Sequence, residues 1–234
     1  MADPGSVSAA ERLAEARRRI EAACQRAGRR AEDITLVGAA KRQPLDRLEA
    51  AVAAGLRHIG ENRAQEARAH RDALPPGLEW HLIGPLQSNK VHLAVELFDV
   101  VHSVDRPKIA RLLEQEAAAS GRTLPALLEV NLGEEASKHG FAVEHLAETV
   151  EPLAGCRHLQ VMGLMAIPPF EEDPERSRPW FRRLRELRDA LFARPEWSGR
   201  PGWLSMGMSH DYEVAIEEGA THVRVGTALF GPRD

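Results

Sequence analysis

Lys41 ends the apolar run Ile34–Ala40, read as ITLVGAA, and is the residue of this chain best suited to form an imine. At the tip of a buried strand, its ammonium would sit at the edge of a low-dielectric interior. Desolvation there disfavours the charged form, lowers the pKa and exposes a nucleophilic amine. The neighbouring Arg42 supports the competing reading, a surface lysine that opens a loop. Two late segments bear on the choice. Ser205-Met206-Gly207-Met208-Ser209 and Gly226-Thr227 are small, hydroxylated stretches whose backbone amides can approach an anion such as phosphate. Ser209 also suits the N-cap of a helix over 210–218, so its hydroxyl has two candidate roles. Arg224 alternates with Val223 and Val225 and shares a strand face with His222. If that face is interior, the guanidinium requires a partner.

An amine for an aldehyde, a cradle for phosphate and an inward arginine together describe a site for pyridoxal 5′-phosphate (PLP). Lys41 would take the aldehyde as a Schiff base, and the two hydroxylated loops the phosphate. Arg224 would meet the pyridine nitrogen. A guanidinium does not take a proton from that nitrogen, and it leaves the ring unprotonated and weakened as an electron sink.

The elements that must position these residues follow a β/α period. Strands are predicted near 34–40, 57–60, 79–84, 98–103, 125–132, 158–166, 202–206 and 221–226. Helices are predicted near 44–54, 62–73, 87–96, 105–120, 142–153, 174–193 and 209–218. An extra N-terminal helix, about 6–28, precedes the first strand. Ser8 and Glu11 form its capping box and Gly28 ends it, so it is expected to cap or flank the rest. Pro107 and Gly121 bound the helix near 105–120. Eight strands in 234 residues, with polar or glycine clusters at their C-terminal ends, predict a (β/α)8 TIM barrel with its site at those ends. The open doubly wound sheet is the alternative, but neither GxGxxG nor GxxxxGK[ST] occurs. No linker divides the chain, which reads as a single domain over 1–234. The polar, proline-rich insertion 168–179 is expected to act as a mobile lid.

Composition narrows the partners. The 31 basic and 35 acidic residues give a net charge of −4, which offers no footprint for nucleic acid or an anionic membrane. Residues 174–193 include a basic stretch, but Trp180, Leu184, Leu187 and Leu191 make it an amphipathic helix with a solvated face. Cys24 and Cys156 suggest neither a disulfide framework nor a zinc site, and a reducing cytoplasm fits. The first residues, MADPGSVSAAERLAEARRR, lack the apolar core of a signal peptide and no stretch approaches a membrane span, so a soluble intracellular protein is expected. The ten histidines lack metal-ligand spacing, so they are read as scattered structural residues with no metal site.

The strings GAAKRQP, GEN, EWHLIGPLQSNK, VNLGEEASKHG, VMGLMAIP and LSMGMSHDYEVAIEEGATHVRVGTALFG resemble the pyridoxal phosphate homeostasis proteins, a PLP-binding protein family. The likeness runs from about residue 6 to the C-terminus. It implies a barrel of the alanine racemase N-terminal domain type, PLP held by Lys41 and a carrier or regulator without established catalysis. It also implies that Arg224 faces the pyridine nitrogen and that Ser209, Gly226 and Thr227 hold the phosphate, with Ser205 and Met208 beside them. Asn62 and His81 match pocket-lining positions, and Lys138 is a second lysine to which the cofactor could transfer, although beside Glu134 and Glu135 the favoured reading is a solvated loop lysine. Arg42-Gln43 and Arg63-Ala64 depart from the family pattern at the rim, and the basic C-terminal tail of some members is absent.

Three functions compete. The first is a non-catalytic carrier that buffers PLP and delivers it to apo PLP-dependent enzymes, expected to be a cytoplasmic monomer. The second is an amino-acid racemase or decarboxylase of the alanine racemase fold type. A racemase needs a second acid-base group on the opposite cofactor face, and the chain leaves no residues for the domain that would bring one. The third, a class I aldolase, fits less well because its lysine usually lies on a later strand.

Overall fold

The structure, a computed structural model, describes residues 7–133 and 139–232. Its strands are β1 Thr35–Ala39, β2 His58–Glu61, β3 Glu79–Leu82, β4 Val100–Val104, β5 Leu124–Asn131, β6 Phe141–Ala142, β7 Leu159–Met165, β8 Trp203–Met208 and β9 His222–Val225. Its helices are α1 Ala9–Arg26, α2 Leu45–Ala53, α3 Ala64–Ala73, α4 Val91–Leu97, α5 Pro107–Ala119, α6 Leu146–Val150, α7 Arg178–Phe192, α8 Tyr212–Glu217 and α9 Thr227–Phe230. Every pairing is parallel. The order β4-β3-β2-β1-β9-β8-β7-β5 closes through a β4–β5 pairing, so eight strands form a complete barrel with no free edge. β6 is a two-residue addition beside the end of β5.

Strand alternation divides the apolar residues between two places. Val223, Val225, Ile59, Leu82 and Leu128 join the large cluster beneath the helices. Val100, Leu127 and Met165 face inward and pack with Trp203. The period of two places His222 and Arg224 on the inward face between outward valines. α1 flanks the barrel. Its capping box forms as the sequence predicts, with Ser8 Oγ accepting from Glu11 N–H at 3.2 Å and Glu11 Oε2 accepting from Ser8 N–H at 2.8 Å. Arg19 and Arg26 pair with Glu213 and Glu217 of α8, which fixes α1 to the outer wall.

Several boundaries differ from the periodicity. Pro152 cannot donate to a helical ladder, and the helix expected over 142–153 becomes α6 followed by a 3₁₀ turn over Glu151–Gly155. The helix expected from 209 begins at Tyr212, and a one-turn α9 follows β9. Insertion 168–179 is anchored to the loop after β8: His210 Nε2 lies 2.9 Å from Glu172 O, and Phe170 rests on the His210 ring at 5.5 Å.

Candidate functional site

Lys41 stands immediately beyond β1 in a turn closed by Gln43 N–H donating to Ala40 O at 2.9 Å. Arg42 in that turn has φ 56° and is the non-glycine residue with positive φ among the described residues. A left-handed conformation at a bulky residue stores backbone strain, here at the residue that follows the lysine. The Lys41 side chain is exposed, so burial does not desolvate its amine as the sequence reading expects. It lines a cleft of about 700 Å³ with Asn62, Leu82, Pro85, Arg106 and His139. Asn62 is thus on the cleft, as its motif suggests. Gln43 is buried beneath the turn, and its Oε1 accepts no hydrogen bond among the described residues.

The hydroxylated loops lie on the other side of Lys41. β1 pairs with β9 in a register that sets Gly38 against Val225, so Gly226 follows beside Ala39, two residues before Lys41. Ser209 Oγ accepts from Gly226 N–H at 3.0 Å and from Ala228 N–H at 3.3 Å. Two backbone donors therefore converge on one hydroxyl, with Thr227 exposed between them. Ser209 is not an N-cap. Asp211 precedes α8 instead, and its Oδ1 accepts from Met208 N–H at 2.8 Å. This tight return uses Gly207 at φ 89°, where a Cβ would lie 2.6 Å from that of Ala215. Met208 is exposed at the mouth.

Below the mouth, polar side chains run through the barrel. Arg224 donates to Ser205 Oγ and, through Nη2, to Ala166 O at 3.0 Å, which uses two of its five N–H donors. Ser205 Oγ lies 2.8 Å from His102 Nδ1, His102 Nε2 lies 2.9 Å from His81 Nδ1, and His81 Nε2 lies 3.2 Å from His58 Nδ1. Burial holds His81, His102 and His222 neutral. His81 is pushed down to about 3 and His222 to about 4, and His102 falls well below the usual histidine range. Burial likewise brings Arg224 down to about 10, while Glu129 and Asp211 oppose the change, so the guanidinium is charged at neutral pH. Glu129 is raised by burial first and then by Asp105.

Ser205 and His81 are therefore interior residues, fully buried, and Ser205 meets Arg224. The histidines are not scattered: His58, His81, His102 and His222 converge, with ring centroids 5.1–6.2 Å apart across successive pairs. The motif reading missed His102, His58, Glu79 and Glu129. Their signal is the strand period, which places 58, 79, 81, 102 and 129 on inward faces once barrel closure is assumed. Lys138 lies outside the described residues. No described helix is long and apolar enough to cross a membrane.

A closed parallel barrel with a lysine after its first strand defines a class, and residues 12–234 match the family described as alanine racemase, N-terminal domain. The chain is 45% identical over 228 residues to the pyridoxal phosphate homeostasis protein of Aquifex aeolicus (strain VF5), covering 97% of this chain and 99% of that one. It is 40% identical over 229 residues to the protein of the same name from Escherichia coli (strain K12), covering 96% and 97%. PipY of Synechococcus elongatus PCC7942, solved with PLP bound, superposes with a TM-score of 0.83 at 37% identity, covering 95% of this chain and all of that one, 100%. The chain belongs to the pyridoxal phosphate homeostasis protein family.

Proposed function

We propose that this chain binds PLP at the C-terminal mouth of the barrel, buffers it and passes it on, without catalysing a reaction of its own. The observation that supports this is that neighbouring strands β1, β8 and β9 carry three kinds of group: the exposed amine of Lys41, the donors around Ser209 and the buried cation Arg224. Convergent N–H groups, two hydroxyls and a permanent cation suit a phosphate-bearing pyridine aldehyde. When bound, the cofactor supplies a reactive aldehyde carbon and an electron-accepting ring. Lys41 holds the aldehyde, while Ser209, Thr227 and the Gly226 N–H hold the phosphate. Arg224 donates toward the ring nitrogen from a position fixed by Ser205 and Ala166. Asn62 and Met208 border the ring, and His81 acts at a distance through His102 and Ser205. A carrier needs access more than enclosure, and an exposed lysine beside an open cleft provides it. The recipients are apo PLP-dependent enzymes, met by a monomer in the cytoplasm.

The test is a visible spectrum of the purified chain loaded with PLP, followed by borohydride reduction and peptide mapping. A cofactor mass on the peptide holding Lys41 supports the reading. A labelled peptide elsewhere, or no label, overturns it.

A further inference from the structure

At the end of the barrel opposite Lys41, β2 and β3 bring together three potential metal ligands that the mouth does not use. The register sets His58 against Glu79 and Gly60 against His81, so the three side chains cluster on adjacent strands. His58 Nδ1 lies 3.2 Å from His81 Nε2, His81 Nε2 lies 3.3 Å from Glu79 Oε1, and His58 Nδ1 lies 3.7 Å from Glu79 Oε2. A tetrahedral ion with bonds of about 2.0–2.1 Å needs its ligand atoms roughly 3.3–3.4 Å apart. The His58–His81 and His81–Glu79 separations lie close to that value, and the 3.7 Å from His58 runs to the other Glu79 oxygen, within reach of a small rotation of the carboxylate. We propose that His58, Glu79 and His81 form a binding site for a divalent transition-metal ion of the Zn²⁺ type.

The surroundings suit this role. His81 is fully buried, while the side chains of His58 and Glu79 are 32% and 45% exposed and give an ion a route from solvent. A metal-binding imidazole usually has its second nitrogen held by a polar group, and His81 Nδ1 is held by His102 Nε2 at 2.9 Å. Ligation at His81 Nε2 places the imidazole proton on Nδ1. His81 then donates to His102, and His102 donates to Ser205, so every contact in the interior series remains satisfied. Two imidazoles and one carboxylate select a borderline transition ion over Mg²⁺ or Ca²⁺, which prefer oxygen ligands throughout. The site is independent of the PLP reading.

The test uses the full chain, PLP-loaded and stripped of metal, in equilibrium dialysis against Zn²⁺ with metal content read by mass spectrometry. One Zn²⁺ per chain is expected. His58→Ala and Glu79→Gln change partly exposed residues, and each should weaken binding by at least the roughly 10–100-fold that loss of an outer-shell partner costs. His92→Ala, at an exposed histidine of α4, should keep the ion. Circular dichroism verifies that each variant is folded. Absence of stoichiometric Zn²⁺ in the parent overturns the site, as does parental affinity in either ligand variant or loss of the ion in His92→Ala.

Discussion

Arg224 donates to the hydroxyl of Ser205 inside the barrel, where both side chains are buried. The serine mediates between a permanent cation and a neutral imidazole. Its oxygen accepts from the guanidinium, and its 2.8 Å contact with His102 Nδ1 runs in either direction according to the imidazole tautomer. The contact also fixes the direction of the guanidinium. In an interior this dry, an arginine left without such partners would carry a large desolvation penalty.

Ser205→Ala should therefore destabilise the fold by about 1–3 kcal/mol, because it leaves the His102 nitrogen and one guanidinium N–H without a partner. Lys41 should still take up PLP covalently, since it lies beyond the interior. Thermal unfolding and borohydride labelling report the two effects separately. An unchanged melting temperature would show that the interior contacts contribute nothing net.

Lys41→Ala should abolish borohydride-stable attachment of PLP and leave the melting temperature within about 1–2 °C, since an exposed side chain contributes little packing. Some non-covalent cofactor should remain on the Ser209 side. Persistent label in this variant would move attachment to another lysine, with Lys138 the first to map.

Ser209→Ala and Thr227→Val should each weaken PLP retention by about tenfold or more, as expected for the loss of one charge-assisted hydrogen bond worth roughly 1.5–3 kcal/mol. The wavelength of bound cofactor should not move. Ser209→Ala should also lower stability, because Gly226 and Ala228 N–H lose their shared acceptor. Thr227 is exposed and should show no such loss. Equal dissociation constants for both variants and the parent would place the phosphate elsewhere.

The legibility of this chain follows from periodicity. Continuous apolar runs ending in polar clusters reveal the strands, and the count of eight reveals the barrel. The same period places Lys41, Ser209 and Gly226 just beyond strand ends and Arg224 on the inward face of β9. The interior was less readable. His58, Glu79, His81 and His102 come from three strands, and their closeness depends on register between strands, which a period along one strand does not encode. The loop after β8 misled for a local reason: serine and aspartate two residues apart both suit an N-cap, yet Ser209 turns to the amides of Gly226 and Ala228, and Asp211 stands at the N-cap position without a capping bond.

Glu61 gives a pH dependence whose sign can be worked out. Its side chain is buried between β2 and α3, where Oε1 meets His70 Nδ1 at 2.7 Å and Oε2 has no hydrogen-bond partner among the described residues. Burial raises its pKa above 4.5, outweighing the His70 contact. As pH rises through about 4.5, the unfolded chain loses this proton first, so the group disfavours folding increasingly until the folded state also ionises. Glu61→Gln removes that effect. The stability of the variant relative to the parent should therefore increase between pH 4 and pH 7, as read by urea unfolding at each pH. A difference that falls over this range would mean that the His70 pair outweighs burial.

The chain should not turn over amino acids. Arg224, held down to about 10 by burial, is still charged at neutral pH, and a guanidinium placed at the ring nitrogen, as proposed, would not protonate it. A ring left unprotonated is a weak sink for charge at the substrate carbon. Racemisation further needs an acid-base group on the face opposite the lysine. Tyr212 is the one tyrosine of the sequence, and it is buried in α8 beneath Arg19 of α1, with burial pushing its hydroxyl up to about 12. It belongs to the outer wall and is not among the residues lining the cleft that holds Lys41. The PLP-loaded chain incubated with L-alanine in deuterated water should therefore show α-deuteration, followed by NMR, no faster than free PLP gives. Exchange well above that background, lost in Lys41→Ala, would make this protein an enzyme.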